Sequence, residues 1–174
     1  MIENLTETIH GTLLSVYGIG VLIQGQSGTG KSECALEMIG RGHSLVADDA
    51  IELERIGLIL YGSAPNTLRG LLDIRGLSIC DVRKLYGDDA FANRCGIGVS
   101  IELAIEGDIL SSEVFDDDQA EVEILGVTLE HFIISNPRER ALPAIIEAAV
   151  RMTRCGGRSA EMELIASYNK SLTS

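Results

Sequence analysis

The chain has 174 residues, of which 45% are hydrophobic, and this is enough for one domain with a sizeable core. Its formal net charge of −12 excludes a typical nucleic-acid-binding protein, because no cluster of Lys and Arg could neutralise a run of phosphates. The cysteines form no C-x-x-C pair, no apolar run is long enough to span a membrane, and the acidic N-terminus is unlike a signal peptide. We therefore expect residues 1–174 to form a single cytoplasmic domain.

The N-terminal quarter of the chain predicts a β-α-β unit. Strands are predicted at Thr12–Tyr17, Val21–Gln24 and Ser44–Ala47. A glycine-containing turn at residues 18–20 separates the first two, and the third ends at Asp48-Asp49. Helical spacing of apolar residues predicts a helix at Lys31–Arg41, which Gly42 ends.

The rest of the chain predicts an antiparallel or mixed sheet followed by helices. Further strands are predicted at Ile51–Leu53, Leu58–Tyr61, Leu77–Asp81, Ser100–Ile105, Val122–Leu125 and Phe132–Ile134. A helix is predicted at Arg138–Arg154 with Pro143 near its start, and a last one at Ala160–Tyr168. The predicted fold class is α/β, with a mixed sheet and flanking helices.

A phosphate-binding motif, G-x-x-x-x-G-K-[ST], occurs between the second predicted strand and the first helix. Its glycines let successive backbone N–H groups turn toward phosphates, Lys31 reaches the β- and γ-phosphates, and the Ser32 hydroxyl is placed for Mg²⁺. A glycine-rich turn without a ligand is the alternative, but the preceding strand and the following helix favour the phosphate loop. The predicted ATP-binding residues are Gly25, Gln26, Ser27, Gly28, Thr29, Gly30, Lys31 and Ser32.

Two adjacent carboxylates follow the strand after this loop. An acidic residue at that position is typical of Mg²⁺ binding, and a second one could accept the proton of an attacking hydroxyl. Since side chains alternate along a strand, Asp48 and Asp49 can divide these two roles. Taken alone, an Asp-Asp pair is more often a solvated turn, but its position after the phosphate loop favours the functional roles.

Two weaker candidates lie elsewhere in the chain. In an extended segment Asp73 and Arg75 would point the same way, Asp73 to a metal and Arg75 to a phosphate. A surface ion pair explains them equally well. His10, in a polar N-terminal stretch, is by itself most simply an exposed histidine.

These motifs together resemble the catalytic domain of the bacterial HPr kinase/phosphorylase family. The resemblance rests on His10-Gly11, the loop at residues 25–32, the segment at 45–49 and the segment at 72–77, and it extends from about residue 9 to residue 154. It implies a nucleotide-binding core similar to that of PEP carboxykinase and a phosphate-loop enzyme that phosphorylates a serine of the phosphocarrier protein HPr with Mg-ATP. Many family members also reverse the reaction by phosphorolysis, and they are typically hexamers.

The family's residue roles transfer to matching positions. The resemblance implies that His10, Lys31, Asp49 and Arg75 are catalytic, with Asp49 as the base in phosphorylation and the acid in the reverse reaction. It implies that Ser32, Asp48 and Asp73 bind Mg²⁺, with Asp73 at a position where the family usually has Glu.

Two segments depart from the family's pattern. A catalytic arginine usually occurs in the region of residues 114–119, where this chain has Phe115 followed by Asp116-Asp117-Asp118. These aspartates lack the glycine and spacing of a calcium loop, so we interpret them as a solvated acidic loop. The family's proline- and glycine-containing loop is replaced by Ser135–Arg140, where Arg138 and Arg140 are candidates to supply the missing cation.

Three alternatives to an HPr kinase stay open from the sequence. The acceptor could be a small alcohol such as free serine, or a protein other than HPr. The chain could also hydrolyse nucleotide without an acceptor. Finally, the acidic replacement at residues 116–118 is compatible with a regulatory module that binds ATP without transferring phosphate.

Overall fold

The computed structural model of the chain describes residues 5–105, 121–135 and 137–157, which contain nine β-strands and three α-helices. The strands are β1 Thr6–Val16, β2 Ile19–Gly25, β3 Ser44–Ile56, β4 Ile59–Ser63, β5 Leu71–Ile74, β6 Ser78–Asp81, β7 Arg94–Ala104, β8 Glu121–Ile124 and β9 Val127–Ser135. The helices are α1 Lys31–Gly40, α2 Val82–Tyr86 and α3 Leu142–Arg154. Short 3-10 turns occur at Asn66–Leu68, Asp88–Ala90 and Pro137–Glu139.

Seven strands form one mixed sheet in the order β2-β1-β3-β4-β7-β9-β8, and β5 pairs with β6 in a separate hairpin. Strand β2 also pairs with β7, so that β2, β1, β3, β4 and β7 form a closed ring. The β2–β7 and β7–β9 pairs are parallel, whereas β1 is antiparallel to both β2 and β3. Strands β2 and β3 therefore run in the same direction, and the predicted β-α-β unit is present with β1 between its two strands.

Alternating side chains of the strands build two apolar cores. On β1, Leu14 belongs to a core that includes the buried faces of α1 and α3, and neighbouring Leu13 belongs to one built from strands and loops alone. In α1 the buried apolar residues Cys34, Ala35 and Met38 recur at helical spacing. Helix α1 is thus fixed against the sheet, and its first turn lies after the end of β2 and beside Asp48 of β3.

The structure confirms a mixed α/β fold and corrects several predicted boundaries. Strand β3 does not end at Asp48-Asp49 but continues to Ile56, because β1 pairs with it on both sides of the two aspartates. It therefore includes the separately predicted strand at Ile51–Leu53. Helix α3 begins at Leu142 rather than Arg138, since Pro137–Glu139 form a 3-10 turn and Pro143 occupies the first turn of the helix.

Two elements are not predicted from the sequence, and some predictions fall outside the described residues. Strand β5 and helix α2 are short, and α2 depends on a cap in which the Asp81 carboxylate accepts a hydrogen bond from the Arg83 backbone N–H at 3.0 Å. The acidic loop at residues 116–118 and the helix at 160–168 lie outside the described residues. No helix within the described ranges is long and apolar enough to cross a membrane.

Candidate active site

A cavity of about 330 Å³ opens where the N-terminus of α1 meets β1, β3 and the β5–β6 hairpin. It brings together the residues that the sequence singles out, although they come from four separate segments of the chain. Its lining includes His10, Ser27, Gly28, Gly30, Lys31, Ser32, Asp48, Asp49, Asp73 and Arg75. Gly25, Gln26 and Thr29 do not line this cavity but belong to the same glycine-rich loop.

The glycine-rich loop at residues 25–32 depends on backbone conformations that favour glycine. Gly25, Gly28 and Gly30 have φ values of 146°, 84° and 96°. A Cβ on Gly25 would lie 2.6 Å from the Leu103 carbonyl oxygen, so a larger residue could not fit against β7. The first residues of α1 line the cavity, and the unpaired amides and positive end of the helix dipole therefore lie beside it. This arrangement is suited to an anion such as phosphate.

The Lys31 side chain is folded back across its own loop. Its Nζ donates hydrogen bonds to the carbonyl oxygens of Gly25 at 2.7 Å and Gln26 at 2.9 Å. Burial lowers the pKa of Lys31, while the nearby Asp48 and Asp49 carboxylates raise it in opposition. The amine is thus positioned at the loop before any phosphate arrives, and phosphate oxygens could replace the carbonyls as its acceptors.

Asp48 is a buried carboxylate held by several donors. The Thr12 hydroxyl donates to Oδ1 at 2.8 Å, and the Ser32 hydroxyl donates to Oδ2 at 3.3 Å. Burial raises the pKa of Asp48, and the hydrogen bonds from Thr12, the Asp73 backbone N–H and Ser32 lower it in opposition. The Asp73 amide belongs to β5, so this bond also ties the β5–β6 hairpin to β3.

The oxygen atoms around Asp48 fit a magnesium ion. Two carboxylates, Asp48 and Asp73, and the Ser32 hydroxyl line the same cavity, and Mg²⁺ prefers such oxygen ligands together with phosphate and water. Among the described residues no group of three His, Cys, Asp or Glu side chains could hold a metal by itself. A cation here would therefore depend on the hydroxyl and on bound phosphate.

Asp49 lines the same cavity as Asp48 but is exposed to solvent, whereas Asp48 is buried. Its side chain is 76% exposed and its Oδ1 lies 3.1 Å from His10 Nδ1. The two residues are neighbours across the β1–β3 pairing, where Gly11 is opposite Asp49. Asp49 has a φ of 71°, a left-handed conformation that is uncommon for a residue other than glycine. An exposed carboxylate in a strained backbone, beside a phosphate-type loop, is suited to accept a proton.

Arg75 lies on the β5–β6 hairpin and faces the glycine-rich loop. A Cβ on Gly28 would be 3.7 Å from the Arg75 guanidinium nitrogens and 3.6 Å from Arg138 Nη2. Arg138 Nε donates to the Gly28 carbonyl oxygen at 3.1 Å, and Nη2 donates to the same atom. Two cations therefore flank Gly28.

One residue of the site, Thr12, was not assigned to it from the sequence, and another, Arg138, was only one of two alternatives. Thr12 is fully buried and contacts Asp48, and strand periodicity does not indicate this, because His10 on the same face of β1 is exposed. Arg138 hydrogen bonds to the loop at Gly28, whereas Arg140 lines neither this cavity nor a second one that also borders the loop.

The fold and the cavity together are typical of phosphotransferase domains, which combine a glycine-rich loop, a lysine and carboxylates in one site. Residues 3–166 match the HPr Serine kinase C-terminal domain family. The chain therefore belongs to the HPr serine kinase family.

Individual relatives agree with this assignment. The chain is 43% identical over 150 residues to the HPr kinase/phosphorylase of Alkaliphilus metalliredigens, an alignment that covers 86% of this chain and 48% of that protein. It is 38% identical over 149 residues to the HPr kinase/phosphorylase of Bordetella pertussis, with 85% of this chain and 48% of that protein covered. The chain thus spans about half the length of the curated relatives that it matches.

A solved structure has the same fold. The HPr(Ser) kinase/phosphatase from Coxiella burnetii superposes with a TM-score of 0.77 at 35% sequence identity. The match covers 86% of this chain and 97% of that one. It confirms the mixed α/β fold with its large sheet and few helices.

Proposed function

We propose that this chain is the catalytic domain of a Mg-ATP-dependent protein-serine kinase whose acceptor is HPr or an HPr-like phosphocarrier protein. The observation that carries the proposal is the geometry of one cavity, in which the glycine-rich loop and Lys31 face the exposed Asp49–His10 pair. Membership of the HPr serine kinase family and relatives named HPr kinase/phosphorylase support the acceptor. In this proposal the core is a phosphate-loop core similar to that of PEP carboxykinase.

The ATP phosphates would bind at the loop and the first turn of α1. Backbone N–H groups of residues 25–32 would donate to phosphate oxygens, and Lys31 would exchange its bonds to Gly25 and Gln26 for the β- and γ-phosphates. Arg75, beside Gly28, would offset further negative charge. Ser32, Asp48 and Asp73 would hold Mg²⁺, which would supply positive charge to offset that of the phosphates.

Asp49 would act as the general base. Its carboxylate takes the proton of the seryl hydroxyl as the seryl oxygen forms a bond to the γ-phosphorus, and the bond from that phosphorus to the β,γ-bridging oxygen breaks to release ADP. His10 Nδ1, 3.1 Å from Asp49, orients the carboxylate. The exposure of Asp49 is suited to an acceptor that is a large protein, because a serine on a protein surface must reach it from solvent.

The same residues would support the reverse reaction. A phosphate oxygen attacks the phosphorus of phosphoserine, the bond from that phosphorus to the seryl oxygen breaks, and protonated Asp49 returns its proton to that oxygen, giving serine and pyrophosphate. The loop at Ser135–Arg140 departs from the family's pattern, and its effect on this direction is measured by adding phosphate to the phosphorylated product.

We also propose that the chain forms a homo-oligomer, a hexamer as the family resemblance implies. Exposed apolar side chains on the β5–β6 hairpin and α2 support this, since Leu77, Ile79 and Leu85 are 80%, 63% and 60% exposed. Analytical ultracentrifugation would give the mass. A monomer at all protein concentrations would contradict the proposed oligomer.

The test of the proposed function is a comparison of acceptors with ATP labelled at the γ-phosphate. We expect label on purified HPr and none on HPr whose acceptor serine is changed to alanine. Transfer to free serine or another small alcohol would indicate a metabolite kinase. Release of labelled phosphate without any acceptor would indicate an NTPase, and tight ATP binding with no transfer would indicate a nucleotide-sensing module.

A further inference from the structure

A second cavity, of about 430 Å³, lies against the glycine-rich loop. It is lined by Ser27, Gly28, Thr29, Arg75, Ile105, Pro137, Arg138 and Glu139. It shares Ser27, Gly28 and Arg75 with the first cavity, but Asp48 and Asp49 line only the first. The loop and Arg75 therefore form a common boundary between a cavity with the reacting carboxylates and a cavity without them.

The walls of the second cavity combine apolar surface with a planar cation. Pro137 is buried in its 3-10 turn, and Ile105, at the end of β7, is 43% exposed although it is apolar. Arg138 Nε and Nη2 both donate to the Gly28 carbonyl oxygen, which fixes the guanidinium beside the loop. A flat guanidinium next to aliphatic side chains is suited to a flat aromatic ring, which can stack on it.

The two cavities can hold the two ends of one nucleotide. If phosphates bind the loop with the γ-phosphate toward Asp49, the nucleoside must leave the loop on another side, and the second cavity is in contact with the loop there. Its volume lies within the range of roughly 300–1,000 Å³ typical of small-molecule sites. We propose that the second cavity binds the nucleoside of the phosphate donor, with the base stacked on Arg138 and in contact with Ile105 and Pro137.

This inference rests on the proposed function, because it requires the phosphates of the donor to bind at the glycine-rich loop. It also assigns Arg138 a role different from that of a cation on the transferring phosphate. Arg138 lines only the second cavity and Asp49 only the first, whereas Arg75 lines both. Arg75 is therefore the arginine placed toward the phosphates, and Arg138 is placed toward the nucleoside.

The experiment compares two donors that differ only in the nucleoside, Mg-ATP and magnesium with inorganic triphosphate. We expect Arg138→Ala to weaken ATP binding roughly 5- to 30-fold, as for loss of a partly desolvated cation–π contact, with little change for triphosphate. Arg138→Lys keeps the charge but loses the planar guanidinium, and it should weaken ATP binding to a similar extent. Arg140→Ala is the matched control, since this exposed arginine lines neither cavity, and should change neither affinity.

Two results would overturn the assignment. If Arg138→Ala weakened the binding of ATP and of triphosphate equally, Arg138 would contact the phosphates and not the nucleoside. Slower transfer with unchanged ATP affinity would make it a cation for the transferring group. Lys31→Ala tests the phosphate site separately from the nucleoside site. It should weaken the binding of both ATP and triphosphate. If it weakens neither, the phosphates do not bind at the glycine-rich loop, whatever the result for Arg138.

Discussion

His10 Nδ1 and Asp49 Oδ1 lie 3.1 Å apart on adjacent antiparallel strands, and both side chains are more than half exposed. The contact joins two parts of the sequence that are nearly 40 residues apart at the position where a phosphate acceptor would enter. Asp49 has a left-handed backbone, and its contact with His10 helps to fix the direction of its carboxylate.

The His10–Asp49 contact predicts non-additive effects on phosphate transfer. His10→Gln should slow transfer several-fold, since an exposed polar contact of this kind contributes about 0.2–1 kcal/mol. In an Asp49→Asn background the same change should have almost no further effect, because the carboxylate that it orients is gone. Single-turnover rates of the four proteins give the coupling. Fully additive losses would show that His10 acts on the reaction independently of Asp49.

The hydrogen bond from the Thr12 hydroxyl to Asp48 predicts that a Thr12 variant needs more Mg²⁺ to bind ATP, in a way that depends on pH. Thr12→Val removes a hydrogen bond to a buried carboxylate, and such bonds to charged groups contribute about 1.5–3 kcal/mol. The pKa of Asp48, already raised by burial, should rise further, because this bond favours the charged form. The variant should need more Mg²⁺ than the wild type, and the difference should grow as the pH is lowered.

Thr12→Ser is the control for this prediction, since it keeps the hydroxyl. Mg²⁺ titrations of ATP binding at several pH values provide the measurement. Equal Mg²⁺ requirements for the wild type and Thr12→Val at all pH values would argue that Asp48 does not bind the ion.

Gly25 predicts a defect specific to the loop. In Gly25→Ala the new Cβ would lie 2.6 Å from the Leu103 carbonyl oxygen and 3.2 Å from Thr29 Oγ1, at a φ of 146°. We expect a displaced loop and ATP affinity reduced roughly tenfold or more, which corresponds to about 1.4 kcal/mol or more.

Gly40→Ala is the matched substitution for this prediction. A Cβ there would meet nothing within 4 Å, and the site is the last residue of α1, so alanine should stabilise the fold slightly, by up to about 1 kcal/mol. Calorimetry of ATP binding and thermal unfolding test both variants. Normal ATP affinity in Gly25→Ala would contradict the close fit between the loop and β7.

A cluster that joins the turn after α1 to helix α3 predicts that the stability of the fold falls in acid. Arg41 donates to both carboxylate oxygens of Glu147, at 3.0 and 2.6 Å, and His43 Nε2 lies 2.9 Å from Oε1. Hydrogen bonds from Arg41 and then His43 lower the pKa of Glu147 from 4.5 to about 2. Because the folded-state pKa is the lower one, the stabilisation is present above pH 4.5 and is lost as the pH falls toward 2.

Glu147→Gln should therefore lower the melting temperature at pH 7, by roughly 2–4 °C for each kcal/mol lost. The difference from the wild type should shrink between pH 4.5 and 2. Glu52→Gln, at an exposed position of β3, is the control and should have little effect at either pH. A Glu147→Gln difference that is constant with pH would show that the carboxylate is not the stabilising group.

Local motifs made much of the site predictable from the sequence. The glycines of residues 25–32 encode a backbone conformation directly, so the motif specifies both the loop and the start of α1. Strand alternation predicts different surroundings for Asp48 and Asp49, and Asp48 is indeed buried while Asp49 is exposed. Alternation does not predict that both line one cavity or that the backbone at Asp49 is left-handed. The roles themselves stay predictions.

Contacts between distant segments could not be predicted. The Thr12–Asp48 hydrogen bond and the Arg41–Glu147 pair depend on which strands and helices become neighbours, and no local pattern encodes this. The continuation of β3 beyond Asp49 has the same origin, because an acidic pair normally ends a strand and here the pairings with β1 and β4 extend it. The closing of the ring by β2 and β7 is likewise a tertiary feature.

The most direct test of the central claim is the rate of transfer of the γ-phosphate from ATP to the serine of HPr, in the wild type and in Asp49→Asn. The proposed mechanism predicts phosphoserine on HPr with the wild type and a rate about 10²–10⁴ lower in the variant, the range expected for loss of a general base. ATP affinity should be similar in both proteins. Transfer by Asp49→Asn at the wild-type rate, or no transfer by a wild type that binds ATP, would contradict it.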